Sequence, residues 1–191
     1  MNKLDKDFKE LIKQMTYNQN GAEYAWYFRE AEKAFEQGLF LLSVCGSLIG
    51  IEASLRSLIK LFDNVDYSDD IRIAKPKMNE KTLKKIQGYG LNVEVLCFPD
   101  DDYSQFMRNN NHTITIIDLR NKLAHGNLFS YLETHYIQNS EKLGEPDQDP
   151  IKVFSPTFLK VMNQQLLEIQ LKWANEISRF NKQRRENAEH R

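Results

Sequence analysis

The stretch LFLLSVCGSLIGIEASLRSLIKLF, residues 39–62, is markedly apolar and shows no strand-like alternation. Its first part, residues 39–51, is too short to span a bilayer and is followed at once by the charged residues Glu52 and Arg56. A long apolar stretch of this kind is typical of a helix buried in a protein interior. It therefore predicts the central core helix of an all-α fold.

The residues before this stretch predict two further helices. One is expected from Ala22 to Gln37, with Gly38 separating it from the core helix, and an earlier one over residues 3–16. Gly46 and Gly50 of the core helix lower its helix propensity, so their spacing predicts that another helix approaches its backbone closely.

The carboxyl-terminal part of the chain predicts one long amphipathic helix. Ser155-Pro156 is a strong helix start, because serine caps a helix and proline suits its first turn. Apolar residues then recur three and four apart: Phe158, Met162, Leu166, Ile169, Trp173, Ile177 and Phe180. The polar tail over residues 181–191 is either a solvated helix end or an electrostatic contact for RNA or a partner.

The region from Asp63 to Asn111 is acidic and turn-rich, and it is expected to be an irregular insertion that partly covers the functional site. Asn79 is positioned to cap a short helix through Ile86. Residues 91–98 alternate weakly, in the manner of a lone strand, although no other stretch offers them a partner. The acidic residues lack the glycine and closing glutamate of a calcium loop, so no metal is expected here.

Composition places the chain among soluble single-domain proteins. It has 191 residues, of which 41% are hydrophobic and 28% charged. A chain of this length and composition can bury a substantial hydrophobic core. The formal charge of −1 argues against a protein that binds nucleic acid through a wholly basic surface, so any RNA contact must be local. Cys45 and Cys97 lack metal-ligand spacing, and the amino terminus lacks the apolar core of a secretory signal; the expected location is cytoplasmic.

A second stretch, Ile114 to Asn127, carries the candidate chemistry. Ile116, Leu119 and Leu123 form the apolar stripe of a short helix, with Ile117 beside it. Asn111 or Thr113 is expected to cap its start, and Gly126 to end it.

Three polar residues fall in the last turns of this helix: Arg120, Asn121 and His125. Asn121 and His125 are four apart and share a face, and the long side chain of Arg120 can lean toward them. A guanidinium and an imidazole at the negative end of a helix make a small cationic site in which one group exchanges protons near neutral pH. The ligand expected at this site is an anion such as a phosphate.

Leu119-Arg120-Asn121-Lys122-Leu123-Ala124-His125-Gly126 resembles the signature of HEPN domains, in which Arg, a polar residue and three further residues precede His. Many HEPN proteins are metal-independent ribonucleases that act as toxins or in antiviral defence. The helical order on either side also suits that family, over roughly residues 21–180. The resemblance implies an up-and-down bundle of four to five main helices forming one domain over residues 1–191.

The resemblance also implies a mechanism. HEPN ribonucleases are usually homodimers in which the ribose 2′-OH attacks the adjacent phosphate. Here His125 would move the proton, Arg120 would bind the phosphate and Asn121 would orient the site, with no metal or cofactor. Many HEPN proteins have an acidic residue in the corresponding core helix, so Glu52 would orient Arg120 or His125; the alternative from the residues alone is a solvated pair with Arg56.

Two other readings stay open: a non-catalytic HEPN interaction module of a defence or toxin–antitoxin complex, and nucleotide binding at the same cationic pocket. HEPN toxins paired with a nucleotidyltransferase antitoxin typically have Tyr two residues after the motif His. That position is Asn127 in this chain, which puts such a partnership in doubt.

Overall fold

A computed structural model describes residues 22–63, 77–109, 112–126 and 156–189. These residues contain six α-helices and one 3₁₀ helix, and no β-strand: α1 (Ala22–Glu36), α2 (Phe40–Asp63), α3 (Glu80–Gly88), the 3₁₀ helix Val93–Leu96, α4 (Tyr103–Arg108), α5 (Thr115–Ala124) and α6 (Pro156–Glu189). The all-α prediction is confirmed for this part of the chain. The helix expected over residues 3–16 lies outside it.

α1 and α2 form an antiparallel hairpin joined by a three-residue turn. Gly38 has a φ of +74°, in the left-handed region that glycine adopts without strain. With the chain turned in this way, the N–H of Leu39 donates to the carbonyl of Ala34 at 2.8 Å and closes the carboxyl end of α1. The predicted boundary at Gly38 is therefore correct.

The two glycines of α2 lie where α1 crosses it most closely. A Cβ atom added at Gly46 would lie 3.1 Å from the Cβ of Ala31. One added at Gly50 would lie 2.5 Å from Cδ1 of Phe28, whose side chain is fully buried. The predicted close approach of another helix to Gly46 and Gly50 is confirmed, and that helix is α1.

α6 runs parallel to α2. Near the start of both helices, the Asn163 amide donates to the carbonyl of Phe40 at 2.9 Å. Near the end of both, the rings of Phe180 and Phe62 meet edge to face with centroids 5.5 Å apart. The helix begins at Pro156 as predicted, and it continues past Phe180 to Glu189; the expected cap, Ser155, lies outside the described residues.

Trp173 fixes α6 against the middle of α2. Its ring is fully buried, and its indole N–H donates to the Ser54 hydroxyl at 2.7 Å. Ser54 in turn donates to the carbonyl of Ile51 at 2.6 Å. A serine inside a buried helix is therefore matched to a tryptophan that needs an acceptor, which leaves neither polar group unsatisfied.

Residues 77–109, expected to be an irregular insertion, are mostly helical and contribute fully buried side chains to the core: Met78, Leu83, Ile86, Leu91, Val93, Leu96 and Phe106. Asn79 caps α3 as predicted, accepting from the N–H of Thr82 at 2.9 Å. The lone strand expected at residues 91–98 is wrong. Those residues form a 3₁₀ turn instead, because Asn92 accepts from the N–H of Glu94 and begins a turn rather than an extended strand.

α2 is also long and apolar enough, by length and composition, to cross a membrane. However, 67% of its most apolar window is buried inside the fold, against α1 and α6 among others. Burial of this extent is what the core helix of a folded domain shows.

The contact between Gly50 and Phe28 yields a stability prediction. We expect Gly50→Ala to lower the free energy of unfolding by about 1–2 kcal/mol, because overpacking of a fixed ring outweighs the roughly 1 kcal/mol that alanine adds to helix propensity. Urea denaturation would measure the change. Gly88→Ala is the control, since Gly88 also lies in a helix and a Cβ there meets nothing within 4 Å; an equal loss in both variants would contradict the close packing.

Candidate functional site

α5 ends at the motif identified in the sequence. Its apolar stripe is buried at Ile116, Ile117 and Leu119. His125 is the carboxyl-terminal cap, and its backbone N–H donates to the carbonyl of Asn121 at 3.0 Å. Gly126 follows with a φ of +71°, the conformation expected of the glycine that ends a helix.

The amino end of α5 is held by a residue that the sequence reading did not identify. The cap position is Ile114, which has no side-chain oxygen, so the expected cap at Thr113 is wrong; Asn111 lies outside the described residues. Asp101 supplies the missing acceptor, since its Oδ1 atom accepts from the N–H of Thr115 at 2.9 Å and from its hydroxyl at 2.7 Å. Asp101 is 14 residues away in sequence, beyond any capping pattern.

The central contact of the site joins α5 to α2. The Nε of Arg120 donates to Oε2 of Glu52 at 2.5 Å, and its Nη2 donates to Oε1 at 3.1 Å. This two-point geometry matches the planar guanidinium to the planar carboxylate. The side chains of Arg120 and Glu52 are 16% and 10% exposed, so the pair is largely shielded from water.

Glu52 also accepts from Nη2 of Arg56, one helical turn further along α2. Glu52 therefore pairs with Arg56 and also contacts Arg120, but its carboxylate is buried, so the alternative of a solvated pair with Arg56 is wrong as regards solvation. The Arg56 side chain is 43% exposed, so this second partner lies at the solvent edge of the same carboxylate.

The carboxyl group of Glu52 is held in its ionised form. Burial alone would raise its pKa, but the hydrogen bond from Arg120 and the charges of Arg56 and Arg120 outweigh burial and lower the pKa below its ordinary value of 4.5. Glu52 is therefore an anion at neutral pH, and it fixes the guanidinium of Arg120 by charge as well as by geometry.

Asn121 contacts the opposite side of the same guanidinium. Its Oδ1 accepts from Nη1 of Arg120 at 3.3 Å. Three of the five N–H groups of Arg120 are thereby used, and the other two make no hydrogen bond to any described residue. The arrangement presents a fixed guanidinium edge that can donate to an anion.

His125 lies further along the helix. Its side chain is exposed and makes no hydrogen bond within the described ranges. Five residues of α-helix correspond to a rise of about 7.5 Å, so its Cα sits one to two turns beyond that of Arg120. The structure thus places Glu52 and Asn121 in contact with Arg120 and leaves the imidazole of His125 exposed at the carboxyl end of α5.

The metal-binding and nucleophilic side chains of the described residues do not add to this site. Among the described residues, no three His, Cys, Asp or Glu side chains lie close enough to hold a metal ion. His135 lies outside the described part of the chain. Both cysteines are free thiols, and burial raises the pKa of Cys45 and, with Asp101 and Glu94, that of Cys97 to about 12, which suits neither to act as a nucleophile.

Comparisons of the chain with models of known protein families, with curated proteins and with solved structures found no match. The site is therefore characterised by its own contacts: a buried carboxylate, a guanidinium held on two sides, and an exposed imidazole on the same helix.

The lowered pKa of Glu52 gives a pH-dependent prediction. A carboxyl group with a depressed pKa stabilises the fold above its unfolded pKa, and this contribution is lost as the pH falls below 4.5 through the folded pKa. We expect Glu52→Gln to lower the free energy of unfolding by about 1.5–3 kcal/mol at neutral pH, the range for a charged hydrogen bond. The difference in the free energy of unfolding between the wild type and Glu52→Gln should become smaller as the pH is lowered.

Urea denaturation of both proteins across this pH range measures the effect. Glu168→Gln, an exposed mid-helix glutamate on α6, is the matched control and should follow the wild type throughout. If the difference in the free energy of unfolding between the wild type and Glu52→Gln stayed constant as the pH fell below 4.5, the role of the ionised carboxylate would be contradicted.

Proposed function

We propose that this protein is a metal-independent endoribonuclease of the HEPN type, acting in the cytoplasm as a toxin or an antiviral-defence component. The observation that carries the proposal is the ion pair between Glu52 and Arg120. It fixes the arginine of the Arg-Asn-x-x-x-His motif at the carboxyl end of α5, beside Asn121 and on the same short helix as an exposed histidine.

The chemistry fits these groups. The 2′-oxygen of a ribose attacks the adjacent phosphorus, the bond from phosphorus to the 5′-oxygen of the next nucleotide breaks, and the products carry a 2′,3′-cyclic phosphate and a 5′-OH. The proton of the 2′-OH must leave and one must reach the departing 5′-oxygen. His125 is the group for this transfer, because imidazole both accepts and donates protons near neutral pH.

Arg120 would bind the phosphate through the N–H groups that Glu52 and Asn121 do not use. Negative charge grows on the non-bridging oxygens during the attack, and a guanidinium already fixed in position stabilises it without having to reorganise. Glu52 and Asn121 are positioning residues in this scheme, since they act through Arg120.

A dimer is part of the proposal, and one face of α2 supports it. Leu42, Cys45 and Ile49 lie on that face, and Leu42 and Ile49 are 60% and 44% exposed. Counted at 100° per residue, the same face continues to Glu52 and Arg56. A second copy docked on this apolar stripe would bring two motif sites next to each other.

A second candidate is a non-catalytic interaction module of a defence or toxin–antitoxin complex. The same ion pair favours it, because tying α5 to α2 is a structural role that needs no chemistry at His125. The two candidate functions predict different effects of replacing His125 on RNA cleavage: the nuclease should lose its activity, whereas the interaction module has no cleavage to lose.

We expect His125→Ala to reduce cleavage of RNA by at least about 100-fold, the usual contribution of a general acid or base. The test incubates purified wild type and variant with total RNA in EDTA and maps the ends produced. His125 is exposed, so its removal should leave the circular dichroism spectrum unchanged. Lys122→Ala, an exposed change on the same helix, is the control and should cleave like the wild type.

Cyclic phosphate ends that disappear only in His125→Ala would support the nuclease. Equal cleavage by His125→Ala and wild type would contradict it, and no cleavage by either would favour the interaction module. Arg120→Ala is a less informative variant, because it leaves the buried carboxylate of Glu52 without its main partner and should destabilise the fold.

The apolar stripe gives a separate prediction about assembly. Ile49→Asp should raise the dissociation constant of the dimer at least tenfold, because a buried unpaired carboxylate costs several kcal/mol. Light scattering after size exclusion, over a range of protein concentrations, measures this. Val161→Asp, at a residue of similar 50% exposure on α6, should leave the mass unchanged; a wild-type monomer would contradict the dimer.

A further inference from the structure

Four fully buried polar side chains lie between α2 and the first half of α6: Ser43 and Ser47 on α2, and Asn163 and Gln170 on α6. Residues 43, 47 and 54 fall within about 40° of one another on the helical wheel, so both serines lie on the side of α2 where Ser54 contacts α6. Asn163 and Gln170 are seven residues apart and share one face of α6. The two helices therefore meet here through polar groups on both sides.

The side-chain oxygen atoms of these four residues lack partners. The Asn163 amide donates to the carbonyl of Phe40 at 2.9 Å, and the Gln170 amide donates to the carbonyl of Phe28, on α1, at 3.4 Å. However, the oxygen atoms of both amides and of both serine hydroxyls are shielded from water and make no hydrogen bond to any described residue. Each buried group left unpaired costs free energy equivalent to roughly a fivefold to 150-fold change in an equilibrium constant.

The buried polar groups in the second half of α6 are paired. The indole N–H of Trp173 donates to the Ser54 hydroxyl at 2.7 Å. The carboxylate of Glu176 accepts from the N–H of Asn92 at 2.7 Å and from the guanidinium of Arg179. Both halves bury apolar side chains: Leu159, Met162, Leu166 and Ile169 in the first, and Trp173, Ala174, Ile177 and Phe180 in the second. The halves therefore differ chiefly in how well their polar groups are matched.

We propose that the first half of α6, residues 156–170, is a strap that opens away from α2 while the second half stays packed. Opening gives water to the four unpaired oxygen atoms. The hydrogen bonds from Asn163 and Gln170 that opening breaks are replaced by hydrogen bonds to water at little net cost. Proteins open locally in cooperative units whose free energies lie below that of global unfolding, and the strap is such a unit.

The strap opens without disturbing the candidate site. Glu52 lies two residues before Ser54 on α2, level with the half of α6 that Trp173 fixes. Opening of the strap therefore leaves the Glu52–Arg120 ion pair in place, while it exposes the face of α2 that carries the two serines. Strap opening does not depend on whether the protein is a nuclease.

Hydrogen exchange of the full-length protein, followed by NMR, tests the strap. We expect the amides of residues 160–170 to exchange at least roughly tenfold faster than those of residues 173–180. Low concentrations of urea should change the exchange rates of the strap very little, because local opening exposes little surface. The amides of the second half should instead follow global unfolding, which depends steeply on urea.

Ser43→Ala/Ser47→Ala removes two of the unpaired oxygen atoms. It should slow exchange of the strap at least roughly fivefold, because closing the strap no longer buries two unpaired hydroxyls. Ser57→Ala, at a half-buried serine of the same helix, is the control and should leave the ratio of exchange rates between the two halves unchanged. Ser54→Ala deprives Trp173 of its acceptor and should speed exchange of the second half instead.

Faster exchange of the strap in the wild type, together with slower exchange of the strap in Ser43→Ala/Ser47→Ala, would support the proposal. Equal exchange in the two halves of wild-type α6 would overturn it. A strap that exchanged faster in the double variant, or at an unchanged rate, would also overturn it, because the unpaired hydroxyls would then not cause the opening. None of these results depends on RNA cleavage, so the strap and the nuclease can fail separately.

Discussion

A single ion pair holds the candidate site together. Glu52 lies on the central helix, and its carboxylate is ionised because Arg120 and Arg56 stabilise the charge more than burial opposes it. Two charges so poorly exposed would be costly to separate, so α5 has little freedom to leave α2. Everything inferred about phosphate binding depends on the guanidinium of Arg120 being fixed in this way.

Three faces of the core helix α2 make different contacts. One face carries Gly46 and Gly50 and admits α1, another carries Ser54 and receives Trp173 of α6, and the third remains exposed beside Glu52. Small residues occur where other helices approach closely, and long charged residues occur where the helix meets water. The faces that contact α1 and α6 are covered, so the remaining face is the one exposed to solvent. The Glu52–Arg120 pair lies beside this exposed face.

Sequence alone predicted the all-α class, the bounds of α1 and α2, the start of α6 and the approach of a helix at Gly46 and Gly50, since these follow from periodicity and from backbone packing. It identified Arg120 and Asn121, but the contact of Arg120 with Glu52 was expected only from a family resemblance, because these two residues are 68 apart in sequence. Capping of α5 by Asp101 could not be predicted, since capping rules reach only a few residues. The 3₁₀ turn at residues 93–96 was missed because short apolar runs look alike in strands and tight turns.

The positions of Glu52, Arg120 and Trp173 along the sequence set the order in which a newly made chain can assemble its candidate site. Arg120 is synthesised 68 residues after Glu52, an interval of about 3–14 s at ordinary translation rates, and Trp173 comes later still. Until then Glu52 lacks its contact with Arg120, and α2 lacks the helix that covers its core face. A ribosome-bound fragment that stops short of Arg120 therefore lacks the Glu52–Arg120 ion pair on which the candidate site depends.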